Sequence, residues 1–149
     1  MKIREATLAD CPTLDALLSR LIRDEAQYDA NLDPAVAVTD NYASRLGLEG
    51  HKLFLAEEGG EVVAFLYGFI CHVEGIFQKP VAVLDALFVD EGHRRRGCAT
   101  VLVDAFKAFA RERGACRVEL KALTQNEAAL RLYESLSFSE MKKYLKCEL

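Results

Sequence analysis

The chain has 149 residues, 51% of them hydrophobic and 28% charged, and a net charge of −4. That length suits one domain spanning residues 1–149, able to bury about two-thirds of its unfolded surface, and the composition excludes a disordered chain. The acidic balance argues against a nucleic-acid partner, and the lack of any run of about 18 apolar residues argues against a membrane span.

The opening MKIREATLAD shows no signal-peptide core, and the five cysteines (Cys11, Cys71, Cys98, Cys116 and Cys147) form no C-x-x-C pair. Cys71, Cys98 and Cys116 lie among apolar neighbours and read as small buried hydrophobes. A cytoplasmic protein without a metal site is expected.

Lys2 to Ala6 alternates as a short strand, and Thr7 with Asp10 makes a capping box ahead of Pro12. Leu14, Leu17, Leu18, Leu21 and Ile22 follow at helical spacing. Asp33-Pro34 reads as the cap of a second helix running towards Leu48 and stopped by Gly47 and Gly50. Strands at Lys52 to Glu57 and Glu61 to His72 flank a Glu58-Gly59-Gly60 hairpin turn. Val81 to Val89 is a nearly continuous apolar run, typical of a strand buried on both faces. An amphipathic helix over Thr100 to Arg113, a strand at Cys116 to Lys121, a helix over Asn126 to Leu136 and one or two closing strands from Phe138 plus Lys142 to Leu149 complete the order βααβββαβαββ. The strand–helix–strand unit over residues 81–121 implies one parallel pair in a mostly antiparallel sheet. The fold class is therefore α+β, with helices on both faces.

The most informative stretch is Arg94-Arg95-Arg96-Gly97-Cys98-Ala99, between the apolar strand and the helix that follows. A glycine at a helix mouth lets backbone N–H groups close on a phosphate, where the helix dipole favours negative charge, and arginines add forked donors. A second pattern, Asn126-x-x-Ala129-x-x-x-Tyr133 followed by Ser137-Phe138, lies downstream on the last helix. Together these motifs resemble the GNAT superfamily of N-acetyltransferases, whose coenzyme motif is Arg/Gln-x-x-Gly-x-Gly/Ala and whose later motif is Asn-x-x-Ala-x-x-x-Tyr. The acidic early region and the strand VLDALFV loosely resemble the diamine acetyltransferase branch. The chain departs from the family at Glu91, where proline is common, and at Ser137, where glycine is usual.

The resemblance implies acetyl-CoA as co-substrate, with Leu87, Phe88 and Val89 along its pantetheine arm and Arg94, Arg95, Arg96, Gly97, Cys98, Ala99 and Thr100 around its diphosphate. Asn126, Ala129 and Tyr133 would complete the coenzyme site, although Asn126 equally suits a helix cap. It makes Tyr133 the general acid for the departing thiol. Asp85, an acid on an apolar strand, is either the base that deprotonates the amine or a structural aspartate. No cysteine or serine stands in register with a base, so direct attack by the amine is expected, without a covalent enzyme intermediate. Glu25, Tyr28, Asp29 and Asp33 supply carboxylates and an aromatic face for a cationic acceptor, a small-molecule amine or basic peptide, unless they are only a solvated helix face. Homodimers are common in the family. The rival readings are a non-catalytic acyl-CoA-binding regulatory domain on the same fold, a nucleic-acid-binding module and a phosphate-binding oxidoreductase, the last lacking a full G-x-G-x-x-G.

Overall fold

The computed structural model describes residues 1–149. Five strands form one sheet in chain order: β1 (Lys2–Glu5), β2 (His51–Glu58), β3 (Glu61–Cys71), β4 (Val81–Val89) and β5 (Val118–Glu119). Neighbouring strands run antiparallel except β4 and β5, which are parallel because a helix carries the chain across between them. That helix is α2 (Cys98–Glu112); α1 (Cys11–Glu25) precedes β2, and α3 (Glu127–Ser135) follows β5.

The sheet buries both faces, as the expected α+β class requires. α1 lays Leu14 and Leu17 against Leu53, Leu55, Phe65, Tyr67, Ala86 and Phe88. On the other face α2 lays Leu102, Val103, Phe106 and Phe109 against Ala56, Leu66, Ala82 and Leu84, and Leu136 joins them from the end of α3. Each such side chain, fully buried, contributes about 1.5–3 kcal/mol. At Gly68 a Cβ would stand 2.3 Å from the Phe106 ring and 2.6 Å from the Val83 carbonyl oxygen. Only glycine fits there.

Two expected elements do not form. The segment after Asp33, read above as a helix, is a series of turns and bends up to Gly50. Its backbone is claimed by α1 instead. The Asp15 carboxylate accepts from the Tyr42 N–H at 3.1 Å, Ser19 Oγ accepts from the Val38 N–H at 2.8 Å, and Arg23 Nε donates to the Val36 carbonyl at 2.9 Å. Residues 15, 19 and 23 lie on one stripe of α1, so helix side chains tie down the loop in place of its own ladder. Two valines and a threonine between residues 36 and 39 also disfavour helix.

The second is the closing strand or strands from Phe138 plus Lys142 to Leu149, which stay irregular and unpaired. Strand β5 joins the ladder through only two residues, Val118 and Glu119, and Tyr144, Leu145 and Leu149 remain exposed. Cys116 is also exposed and Cys71 half-buried, against the expectation of buried thiols, while Cys98 is buried at 3% exposure; all five cysteines are free.

Candidate active site

The strand–loop–helix junction begins where β4 ends at Val89. A single 3-10 turn (Glu91–His93) follows, then Arg94 is extended. Arg95 takes a left-handed φ of 63° and Gly97 one of 84° at the N-cap of α2. The first helical bond runs from the Val101 N–H to the Gly97 carbonyl at 3.1 Å, and the N–H groups of Arg95 to Thr100 have no backbone acceptor. A Cβ built on Gly97 would meet nothing within 4 Å, so its Cα side of the turn faces open space. Alternating left-handed residues and a helix mouth gather amides into an anion cradle. The left-handed Arg95 costs about 1–2 kcal/mol, strain of the sort found at ligand sites.

The three arginines do different things. Arg94 Nε donates to the Val89 carbonyl at 2.9 Å, its guanidinium approaches Asp24 at 3.4 Å, and it stands 5.8 Å from the centre of the Phe88 ring. Arg96 reaches Glu58 at 3.7 Å. Arg95 makes no side-chain hydrogen bond or ion pair and is exposed. Arg95 is unpaired and Arg96 only loosely held, whereas Arg94 braces the loop against β4 and α1.

Beyond Val83, β4 has no β5 partner, and the sheet opens there. A bulge decides which backbone groups face the opening. Gly68 pairs with Leu84 and Tyr67 with Ala86, leaving Asp85 as the extra residue. The Ala82 N–H points to β5, donating to the Arg117 carbonyl, while after the bulge the Asp90 N–H points to β3, donating to the Val63 carbonyl at 2.8 Å. By alternation, Ala86 and Phe88 bond to β3, and Leu87 and Val89 present their backbone to the opening. Phe88 thus departs from its neighbours in the sequence reading: its ring is buried under α1 and its backbone is engaged with β3.

Asp85 is exposed at the bulge, where the sequence placed it on a buried strand. It lies close enough to Tyr42 and Tyr67 to raise both phenols, after burial as the larger cause. Tyr133, on α3, packs edge-on against Phe138 at 5.8 Å. Burial, and then the Glu25 carboxylate, push its hydroxyl up to about 12, so it holds its proton throughout the neutral range. Glu25, the last residue of α1, is itself raised by burial and by Asp24 and Asp29. The structure therefore brings Glu25, Asp29 and Tyr133 into one neighbourhood, with Tyr28 in the turn following α1. Asp33 lies in an exposed turn, accepting from the Ala35 N–H at 2.8 Å. Asn126 caps α3, accepting from the Ala129 N–H at 3.2 Å. Ser137 takes the left-handed conformation, φ 71°, that its position after a helix demands.

Sequence reasoning passed over several residues of the junction: Arg20, Glu58, Asp90 and His93, which form one ion network beside the cradle. Of these only His93, adjacent to the arginines, carried a local signal.

An α+β sheet that opens beside a bulged strand, with an amide cradle at the next helix, is the arrangement of the acetyltransferase fold. The sequence matches the Acetyltransferase (GNAT) family over residues 17–138, and the chain belongs to that family. It is 29% identical to the uncharacterised N-acetyltransferase YhfO of Bacillus subtilis, over 94% of this chain and 91% of that one. It is also 32% identical to an uncharacterised N-acetyltransferase of Methanocaldococcus jannaschii, over 58% of this chain and 38% of that protein. Human N-acetyltransferase 8 is 31% identical over 74% of this chain. The chain spans 38% and 47% of the length of the archaeal and human relatives. Among solved structures, a mutant of the BH1408 protein of Bacillus halodurans superposes with TM-score 0.85, full coverage of both chains and 20% identity. The aminoglycoside N-acetyltransferase AAC(6')-Iy, solved with CoA, superposes with TM-score 0.75 over 99% of this chain and 98% of that one, at 19% identity. No helix of the chain is long and apolar enough to cross a membrane.

Proposed function

We propose that this chain transfers the acetyl group of acetyl-CoA to a primary amine of a small cationic molecule or basic peptide. The carrying observation is the row of backbone N–H groups from Arg95 to Thr100 without backbone acceptors, beside a β4 edge whose Leu87 and Val89 face an opening in the sheet. The residues fit the coenzyme: amides and the exposed Arg95 and Arg96 suit its phosphates, and the β4 edge suits an amide-bearing pantetheine arm. The coenzyme supplies the activated acetyl group as a thioester.

An alkylamine, ordinarily near pKa 10, must lose a proton before it can attack. Asp85, exposed at the bulge beside the opening, takes that proton directly or through water. A bond forms between the amine nitrogen and the acetyl carbonyl carbon, and the carbon–sulfur bond breaks. The Tyr133 hydroxyl gives its proton to the sulfur and regains one from the second N–H lost by the acylated nitrogen. The amide thus leaves neutral, and the proton first taken by Asp85 passes to solvent. Glu25 and Asp29, with the Tyr28 ring and the exposed Asp33, favour a cationic acceptor. Diamines, aminoglycosides and lysine-bearing peptides share that chemistry.

The test is an acetyl-transfer screen over polyamines, aminoglycosides and basic peptides, following released thiol, with Gly97→Glu as the control. Turnover on an amine, lost in Gly97→Glu because bulk and charge fill the cradle, is expected. Coenzyme binding without turnover on any amine would instead mark an acyl-CoA sensor.

A further inference from the structure

His93 is held through its backbone and through Nδ1, while Nε2 faces a second carboxylate. Its N–H donates to the Asp90 carbonyl at 2.8 Å. Its ring nitrogens lie 3.2 Å from Asp90 Oδ2 and 3.2 Å from Glu58 Oε2. Its own carbonyl accepts from Cys98 Sγ at 3.7 Å, in the first turn of α2. The two carboxylates belong to different parts of the fold: Asp90 directly follows β4 and is also held by Arg20 of α1 at 2.6 Å, and Glu58 ends β2 and also faces Arg96 at 3.7 Å. One side chain therefore joins β2, β4 and, through Asp90, α1 at the base of the cradle.

The cradle needs such a fixture. Arg95 sits in a strained left-handed conformation, and a row of unpaired amides would relax towards water or local turns if nothing held them. The Arg94 brace on Val89 fixes the strand side of the loop; His93 fixes the side facing the β2–β3 hairpin.

We propose that His93 is a positioning residue for the coenzyme, locking residues 94–97 in the conformation whose amides converge, through its bridge between Asp90 and Glu58. This rests on the coenzyme site proposed above. Loss of the bridge leaves the reacting groups at Asp85 and Tyr133 in place, so it acts on coenzyme affinity rather than on the chemical step. Asp90 keeps Arg20 and Glu58 keeps Arg96 when the imidazole is removed, so no carboxylate is stranded without a cation.

The experiment is calorimetric titration of CoA into the wild-type chain and His93→Ala, with steady-state kinetics on whichever amine the screen finds. His93→Ala is expected to weaken CoA about tenfold and to raise KM for acetyl-CoA in parallel, with kcat at saturating coenzyme changed less than twofold. His93→Gln, whose amide still donates to one carboxylate, recovers part of the loss. Should His93→Ala not fold, Asp90→Asn, which keeps an oxygen for Arg20 but offers His93 no carboxylate, reads the same tie and is expected to weaken CoA several-fold. CoA affinity within twofold of wild type in the folded variant overturns the inference while leaving the coenzyme site standing. Failure of the wild type itself to bind CoA removes both.

Discussion

Arg94 Nε donates to the carbonyl of Val89 at 2.9 Å, closing the loop back onto the strand it has just left. The bond occupies one of the β4 carbonyls facing the opening and removes the first of three consecutive arginines from the set free to meet an anion. Arg96, held only by Glu58 at 3.7 Å, is released far more cheaply. Arg96→Ala is therefore expected to weaken CoA several-fold and to flatten the salt dependence of binding, through loss of a phosphate contact. Arg94→Ala is expected to lower the thermal midpoint by a few degrees as well, through loss of a brace. Titration at two ionic strengths with parallel melting curves separates the two, and equal behaviour of both variants would contradict the division of roles.

Tyr133 is held neutral by burial and by its proximity to Glu25, its hydroxyl pushed up to about 12. A phenol that keeps its proton at neutral pH can give it to a departing thiolate. Tyr133→Phe should lower kcat about a hundredfold with CoA affinity unchanged within twofold, as read by single-turnover kinetics and titration. Unaltered kcat would remove Tyr133 from the reaction.

Gly68 has no room for a methyl group between Phe106 and the Val83 carbonyl. Gly68→Ala is expected to destabilise the fold by about 1–3 kcal/mol through overpacking. It stands next to the register shift that creates the Asp85 bulge, so activity should fall along with stability. Urea unfolding measures the first effect, and a denaturation midpoint equal to wild type would show that both Phe106 and the Val83 backbone can yield.

Arg4 clamps two carboxylates, Asp10 at 2.7 Å and Glu57 at 2.5 Å, tying β1 to the start of α1 and to β2. The guanidinium holds Asp10 far below its usual 3.8, chiefly by hydrogen bonding, and lowers Glu57 likewise. A carboxyl depressed in the folded state binds fewer protons there than in the unfolded chain. The stability it contributes is therefore present above the ordinary carboxylate range and lost as pH falls below it. Chemical denaturation between pH 7 and about pH 3 should show this loss in the wild type, and Asp10→Asn should have a shallower acid slope. An unchanged slope would place acid sensitivity elsewhere.

Much of the molecule could be read along the chain wherever one local rule governed. The apolar run of β4, the leucine spacing of α1 and the Gly-Gly hairpin all formed where periodicity and turn chemistry placed them. The Thr7–Asp10 pairing formed as well, with the Asp10 carboxylate accepting from the Thr7 N–H at 2.7 Å. The cradle at Gly97 was legible for the same reason, since a strand, a glycine and a helix mouth are contiguous.

Folding alone decided whatever depends on partners distant in sequence. The missing helix between Asp33 and Leu48 was lost to Asp15, Ser19 and Arg23, which capture its backbone from another element. The choice of Leu87 and Val89 over Ala86 and Phe88 at the opening was set by one unpaired residue, because a bulge inverts the alternation of every residue after it. The bridge from Asp90 through His93 to Glu58 joins residues up to 35 positions apart. Local patterns encode which groups a segment carries; only packing of the two helical layers on the sheet settles which of them meet.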